Sequence, residues 1–268
     1  MNAAFDAERF ETLARGLTLG RPCVVSAVTD STNDDALAAA RDGARHGALF
    51  VTEAQRQGRG RRGNVWHAAS GEALLFSLVL RPELAAERAP ALALVAGLAV
   101  RAAVAHELSA AGASARALVK WPNDVVVDGR KVAGILVESH VRGQALGAAV
   151  VGVGLNVGRM ELPPDVEAKA VSLSALGAPV AREALLVRVL GELEARLARL
   201  ERQELPLQGL IEELARHDAL FGMRISVGEL SGTGAGIDAD GFLELLDGSG
   251  RTHKVCGGHV TLAEAPKN

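Results

Sequence analysis

The sequence predicts an α+β fold: a mixed β-sheet backed by helices, with a small β-barrel at its C-terminal end. Three observations carry that expectation. Apolar, partly β-branched runs of strand length, such as Ala48–Glu53, Ala73–Leu80 and Ala145–Leu155, are interspersed with Ala- and Leu-rich segments at helical spacing. Asp128-Gly129 lies between Val125–Val127 and Val132–Glu138 and is the strongest short hairpin signal in the chain. From Phe221 the texture changes to short strands with turns at Asp240-Gly241 and Asp247-Gly248.

Composition bounds the rest. With 268 residues, 49% hydrophobic and 23% charged, the chain can build one large core and a small satellite domain. A formal charge of −3 and a pI near 6.2 argue against wholesale binding to nucleic acid or a membrane surface, leaving room for a local basic patch. Cys23 and Cys256 have no metal-ligand spacing and read as buried thiols in a reducing cytoplasm. Asp6, Glu8 and Arg9 near the start argue against a secretory signal. The uncharged run Ala89–Val100, ended by Arg101, is too short to span a bilayer and reads as a core helix.

In chain order, a short helix is expected over 6–16 and a first strand over Pro22–Val28. Asp30-Ser31-Thr32-Asn33-Asp34-Asp35 offers several N-cap candidates, with Asp35 three residues beyond Thr32, for a helix running to Arg45 and stopped at Gly47. The strands Ala48–Glu53 and Ala73–Leu80 are separated by a stretch dense in Gly and Arg, which reads as a long functional loop or a disordered one. Arg88–Ala111 is a long helix with Pro90 in its first turn. Leu118–Trp121 is a strand broken by Pro122, exposing Asn123 and Asp124 at a turn, and the hairpin then returns Lys131 to their neighbourhood. Glu183–Arg202 and Leu207–Arg216 are helices, and the barrel strands are Arg224–Val227, Ala235–Ile237, Phe242–Leu246, Thr252–Val255 and Val260–Leu262.

Chemistry concentrates in two places. Both tryptophans and two of the five lysines fall in Gly58-Arg59-Gly60-Arg61-Arg62-Gly63-Asn64-Val65-Trp66 and in Lys120-Trp121-Pro122-Asn123-Asp124 running on to Lys131. Arginine outnumbers lysine 24 to 5, so a retained lysine points to a need for the compact ammonium. Gly58-x-Gly60-x-x-Gly63 matches a dinucleotide fingerprint in letters only, since a strand rather than a helix follows it. A loop alternating Gly and Arg suits an anion clamp: Gly allows close backbone approach and Arg pairs with phosphate or carboxylate. A solvated charge run is the competing reading for the arginines, and core packing for Trp66. Repulsion among Arg56, Arg59, Arg61 and Arg62 predicts a loop with little to hold it closed until an anion arrives.

Taken together, Ser31-Thr32-Asn33, Gln55, the Gly58–Trp66 loop, Lys120–Asp124, Arg130-Lys131-x-Ala133-Gly134-Ile135-Leu136-x-Glu138 and Gly152-x-Gly154-x-Asn156 resemble the biotin protein ligase family, over nearly the whole chain. Two departures stand out. Asn64 replaces a further Arg common in the family, and no N-terminal winged helix-turn-helix is seen, so the repressor function and DNA binding of bifunctional members are not expected. The resemblance implies a catalytic domain over 1–220 and an SH3-like barrel over 221–268. It implies adenylation of biotin by ATP with Mg²⁺, then transfer from biotinyl-5′-AMP to a lysine of a biotin carboxyl carrier protein, without membrane attachment and with a homodimer left open.

By that resemblance Lys131 and Arg61 are catalytic. Ser31, Thr32, Asn33, Gln55, Arg59, Gly60, Arg61 and Lys131 bind biotin, and Arg61, Arg62, Trp66, Lys120, Asn123, Asp124 and Asn156 bind ATP or the adenylate, with Asp124 also toward the metal. The rivals are a lipoate–protein ligase, whose motif of Arg-Arg followed by a Gly-Gly-Gly run and a His-Asp pair is absent here as a unit, and a non-catalytic ligand-responsive regulator.

Overall fold

The computed structural model describes residues 4–84, 88–142, 145–159, 168–200 and 207–262. Seven strands make the main sheet: β1 (Cys23–Thr29), β2 (Leu49–Gln55), β3 (Ala73–Leu80), β4 (Ala117–Lys120), β5 (Asp124–Val127), β6 (Arg130–Arg142) and β7 (Ala145–Asn156). Their spatial order is β1-β2-β3-β7-β6-β5-β4, parallel only between β1 and β2, so the sheet is mixed as expected. Asp128 (φ 48°) and Gly129 (φ 78°) both take positive φ between β5 and β6, as a two-residue hairpin turn twisting with its strands requires.

The helices are α1 (Ala7–Leu13), α2 (Thr32–Arg41), α3 (Ala91–Ala110), α4 (Arg182–Leu200) and α5 (Ile211–His217). Strand alternation sorts them onto two faces. On β3, Leu74, Phe76, Leu78 and Leu80 join the main core with the apolar residues of α3 and α4. Val79, from the opposite face, packs with Ala36 and Ala40 of α2 and with Ala148 and Val150 of β7. Burial on both sides explains why β3 reads as a continuous apolar run. The α3 segment is, among the described residues, the one helix long and apolar enough to cross a membrane, and it lies mostly buried in this core.

The second sheet is antiparallel, in the order β11-β10-β9-β8-β12, from β8 (Arg224–Val227), β9 (Leu230–Ile237), β10 (Leu243–Leu246), β11 (Thr252–Val255) and β12 (Val260–Leu262). It is the small SH3-like barrel expected at the C-terminal end. Strand β9 starts earlier than the expected Ala235 because its sequence, rich in Gly and Ser, hides it. A side chain at Gly232 or Gly234 would collide with the carbonyls of Leu246 or Leu220, so small residues there are a packing demand and not a turn signal. Buried Trp121 joins the two sheets by donating its Nε1–H to the Gly241 carbonyl at 3.0 Å.

Several boundaries move. Helix α1 ends at Leu13 and α2 at Arg41, and α5 begins at Ile211 after a 3-10 turn over Gln208–Leu210. The expected end of α4 at Arg202 lies outside the described residues. No capping box forms at α2, where Ser31 is the N-cap and its side chain makes no cap hydrogen bond. The buried-thiol expectation holds only in part, since Cys23 is partly buried whereas Cys256 is exposed. Burial, reinforced by Glu11, pushes the Cys23 thiol up to about 12, so it stays protonated and unreactive near neutrality. Ellman's reagent at about pH 8 should therefore titrate roughly one thiol rapidly, Cys256, in the native protein and both after unfolding. Two equally fast native thiols would contradict this.

Candidate active site

The same alternation that builds the core turns one face of β3, β6 and β7 toward the N-terminus of α2. Ala133 and Ile135 of β6 and Val151, Val153 and Leu155 of β7 point into the main core. Gly134, Leu136, Gly152 and Gly154 consequently line a cavity of about 250 Å³ on the other face. Its floor is glycine because two side chains lie on it. A Cβ at Gly152 would collide with Asn33 Oδ1, and one at Gly154 with the Trp66 ring.

Lys131 reaches this face through an irregularity. Between β5 and β6 the register steps from Val125↔Ala133 to Val126↔Lys131, leaving Val132 unpaired. In an unbroken strand Lys131 would share the core-facing side of Ala133. The bulge reverses it, and fully buried Val132 takes a place in the core instead. The Lys131 backbone then pairs with the 169–171 segment, its N–H donating to Lys169 O at 2.8 Å and its carbonyl accepting from Val171 N at 2.9 Å. Its ammonium lies 2.7 Å from Asp124 Oδ1 and 5.4 Å from the centroid of the Trp66 ring.

One end of the cavity is neutral and tightly bonded. Ser31, Thr32 and Asn33 are buried. Gln55 Oε1 accepts from Thr32 N at 2.9 Å, and Ser77 Oγ, fully buried, lies 2.7 Å from Thr32 Oγ1 and 2.6 Å from Asn33 Oδ1. The Asn33 amide donates to Glu138 Oε2 at 2.7 Å. These are fixed, uncharged donors and acceptors, the groups that read a neutral polar ring.

The other end is cationic. Arg61, Arg62, Lys120 and Lys131 line it together with Trp66, Asn123 and Asp124. Burial and the neighbouring Arg62 lower the Arg61 pKa below the ordinary guanidinium value, while Asp124 acts the other way. A guanidinium stays charged regardless, so this end holds excess positive charge, partly desolvated at Arg61, which favours an incoming anion. The loop is folded tightly here: Arg62 (φ 58°) and Gly63 (φ 77°) are left-handed, Gly60 N donates to Asn64 O at 2.7 Å, and Trp66 N to Gly58 O at 2.9 Å. The Trp66 Nε1 is buried without an acceptor among the described residues.

Every site residue expected from the sequence lines this cavity except Asn156. Asn156 is buried behind it, with Nδ2 3.2 Å from the Val171 carbonyl and 3.5 Å from that of Lys131, where it braces the segment carrying the lysine. Asn123 lies in the expected turn but is half-buried rather than exposed: its Nδ2 donates to Ile135 O at 2.7 Å, and its backbone carbonyl accepts from Ile135 N. Nor is Arg59 a free cation, since Asp34 and Glu138 both hold it. Sequence reasoning missed Ser77, the glycine floor, and Gly258, His259 and Val260, by which the barrel reaches the cavity. Only the glycines left a signal, as the Gly-x-Gly spacing on one face of β7.

The pattern of the biotin/lipoate A/B protein ligase family matches residues 25–156. The chain is 36% identical over 244 residues to the biotin–[acetyl-CoA-carboxylase] ligase of Mycobacterium tuberculosis, covering 90% of this chain and 86% of that one. It is 32% identical over 175 residues, 64% of its length, to the bifunctional ligase/repressor BirA of Bacillus spizizenii, and spans about half (52%) of that protein. Its fold is like that of the Aquifex aeolicus biotin protein ligase solved in complex with biotin and ATP, with a TM-score of 0.74 at 24% identity over 91% of this chain and 100% of that one. The chain belongs to the biotin/lipoate A/B protein ligase family.

The glycine floor makes a direct prediction. Gly152→Ala should push Asn33 off its partners and weaken the cavity's hold on a ligand, with biotin as the probe, at least about tenfold while the protein stays folded. The chain has two tryptophans and no tyrosine, and both tryptophans line the cavity, so the intrinsic fluorescence reports the titration without further substitution. Unchanged affinity would mean that Asn33 has no part in the site.

Proposed function

We propose that the chain is an ATP-dependent biotin–protein ligase. It condenses biotin with ATP to biotinyl-5′-AMP, releases pyrophosphate, and transfers biotin to a lysine of a biotin carboxyl carrier protein such as that of acetyl-CoA carboxylase. The observation that carries this reading is the single cavity with a neutral hydrogen-bonding wall at one end and a cationic rim at the other. A ligand spanning it has an uncharged polar ring, a carboxylate near Lys131, and phosphates beside Arg61, Arg62 and Lys120. We take 1–220 as the catalytic unit and 221–268 as the barrel unit, and place the protein in the cytoplasm on the strength of its two free cysteines.

In the first step a carboxylate oxygen of biotin attacks the α-phosphorus, and the bond to the pyrophosphate oxygen breaks. Two anions must approach, so the catalytic requirement is positioning and positive charge. Lys131 supplies that charge at the junction, on a backbone fixed by the bulge and by the 169–171 segment. Arg61, desolvated and 3.4 Å from Asn123 Oδ1, supplies a second cation from the loop. In the second step the acceptor amine attacks the acyl carbon and AMP leaves. Beyond the loop, a wider cavity of about 990 Å³, lined by Arg59–Arg62 on one side and Phe242 on the other, gives the acceptor an approach.

Mg²⁺ is ordinarily held by one or two carboxylates together with substrate phosphates. Asp124, the carboxylate at the cationic end, fits that limited role, and no group of three His, Cys, Asp or Glu side chains among the described residues makes a protein-only cage. Bound there, the metal would offset phosphate charge.

The family also includes lipoate ligases, and lipoate has no ureido group to match Thr32, Asn33 and Gln55. A site built to bond such a group strongly rejects a ligand lacking it. Pyrophosphate release from ATP should therefore be driven by biotin and not by lipoate, and the reverse result would overturn the assignment. Lys131→Ala should keep the fold and slow that release by about 10²–10³-fold, the usual consequence of removing a charge-stabilising group. Wild-type release would take Lys131 out of the chemistry. Arg61→Gly should let the acyl-adenylate escape, so that bystander lysines become biotinylated on an anti-biotin blot. Strict carrier selectivity in that variant would show that the loop does not retain the intermediate.

A further inference from the structure

Ser77 stands behind the neutral wall, yet it decides the direction of the hydrogen bonds within it. It is fully buried on β3, paired with Gly152 of β7, on the face turned away from the main core. Its Oγ meets two oxygens, Asn33 Oδ1 at 2.6 Å and Thr32 Oγ1 at 2.7 Å, and a hydroxyl has one proton to give. Asn33 settles where that proton goes. The Asn33 Nδ2 sits against two groups that can only accept, Glu138 Oε2 at 2.7 Å and the Leu136 carbonyl at 3.4 Å, so the amide cannot be turned over and its Oδ1 faces Ser77. An amide oxygen never donates. Ser77 therefore donates to Asn33, and its contact with Thr32 is a hydrogen bond only if the Thr32 hydroxyl donates to Ser77. The other neighbour of Thr32 Oγ1, Gln55 Oε1, is farther away at 3.2 Å and already accepts from Thr32 N at 2.9 Å. With its proton committed to Ser77, Thr32 offers the cavity a lone pair, while Gln55, held through its oxygen, offers Nε2 hydrogens.

We propose that Ser77 is a positioning residue that fixes the polarity of the neutral wall: through it Thr32 becomes an acceptor that selects a ring N–H, beside a Gln55 amide that donates to a ring carbonyl. The inference deepens the ligase reading and rests on it, since the cyclic urea of biotin carries a carbonyl flanked by N–H groups. The order of donation runs from Thr32 through Ser77 and Asn33 to Glu138 and the Leu136 carbonyl. All of these residues lie on β3, β6 or the first turn of α2, so the polarity is set by the sheet and the helix and not by the arginine loop. Without the Ser77 hydroxyl the Thr32 proton can turn toward the ligand, and the wall then tolerates an oxygen where it had required an N–H. A Ser77 that merely filled space would leave that preference unchanged.

The test compares wild type with Ser77→Ala and with Ser77→Cys, whose thiol is a weak donor and acceptor of similar shape, after thermal melting has shown which are folded. The probes are biotin and the two cyclic carbamates in which one or the other ring N–H is replaced by oxygen, titrated by tryptophan fluorescence without ATP. Wild type should bind one of the carbamates about 100-fold more weakly than biotin, because two lone pairs then oppose each other in a buried place. Ser77→Ala should weaken biotin about three- to tenfold and shrink that 100-fold preference to about tenfold or less, with Ser77→Cys in between. A second arm needs no ligand: hydrogen exchange of the Asn33 side-chain amide, identified by NMR against Asn33→Asp, should be at least about threefold faster in Ser77→Ala, since Asn33 has lost the donor that holds its oxygen. Equal exchange in the two proteins would overturn the network. An unchanged biotin-to-carbamate ratio in a folded variant that still binds biotin would overturn the role of Ser77 and leave the ligase reading standing. Absence of biotin binding in folded wild type would overturn the ligase reading and this specificity with it.

Discussion

Neighbouring residues of a β-strand face opposite ways, and here that alternation divides a core from an active site across a single sheet. On β3, Phe76 goes to the core and Ser77 to the opposite face, where it bonds Thr32 and Asn33 of the cavity wall from behind. On β6, Ile135 goes one way and Gly134 with Leu136 the other. One unpaired residue brings a cation into that cavity. The register step that leaves Val132 without a partner reverses the side of everything before it, and so places the Lys131 ammonium against Asp124 rather than in hydrocarbon. Removing that step would bury a charge, so the bulge belongs to the stability of the sheet as well as to its chemistry.

The cavity sorts its ligand by physical means that differ from end to end. Around Thr32, Asn33, Gln55 and Ser77, uncharged groups are fixed by bonds to one another and read shape and hydrogen-bond pattern. Around Arg61, Arg62 and Lys131, positive charge, partly desolvated at Arg61, favours an anion at little cost in specificity. The glycine floor lets the two ends meet, because Asn33 and Trp66 rest on bare backbone at Gly152 and Gly154. The helix α2 begins with polar residues that face the cavity instead of capping it, which trades some helix stability for recognition.

The barrel is more than an appendage. Trp121, in the motif that carries Asn123 and Asp124, is anchored by the Gly241 carbonyl, and the turn before β12 brings Gly258 and His259 to the cavity. Its docking therefore helps set the hairpin that presents the residues of the cationic end.

Much of this was legible in the residues themselves. Periodicity marked the long strands of the main sheet and the long helices, Asp128-Gly129 announced the hairpin, and Lys131, Trp66 and the arginine loop stood out by their rarity or density. Those features are local, encoded in neighbours along the chain. What only the tertiary structure decided depends on atoms brought together from far apart. The ion pairs of Arg59 need residues 34 and 138, and the place of Asn156 needs residue 171. The side on which Lys131 emerges depends on which residue of β5 it opposes. Composition cannot state a register or an ion pair across a hundred residues, because both are set by how strands pair and pack and not by what any one segment prefers.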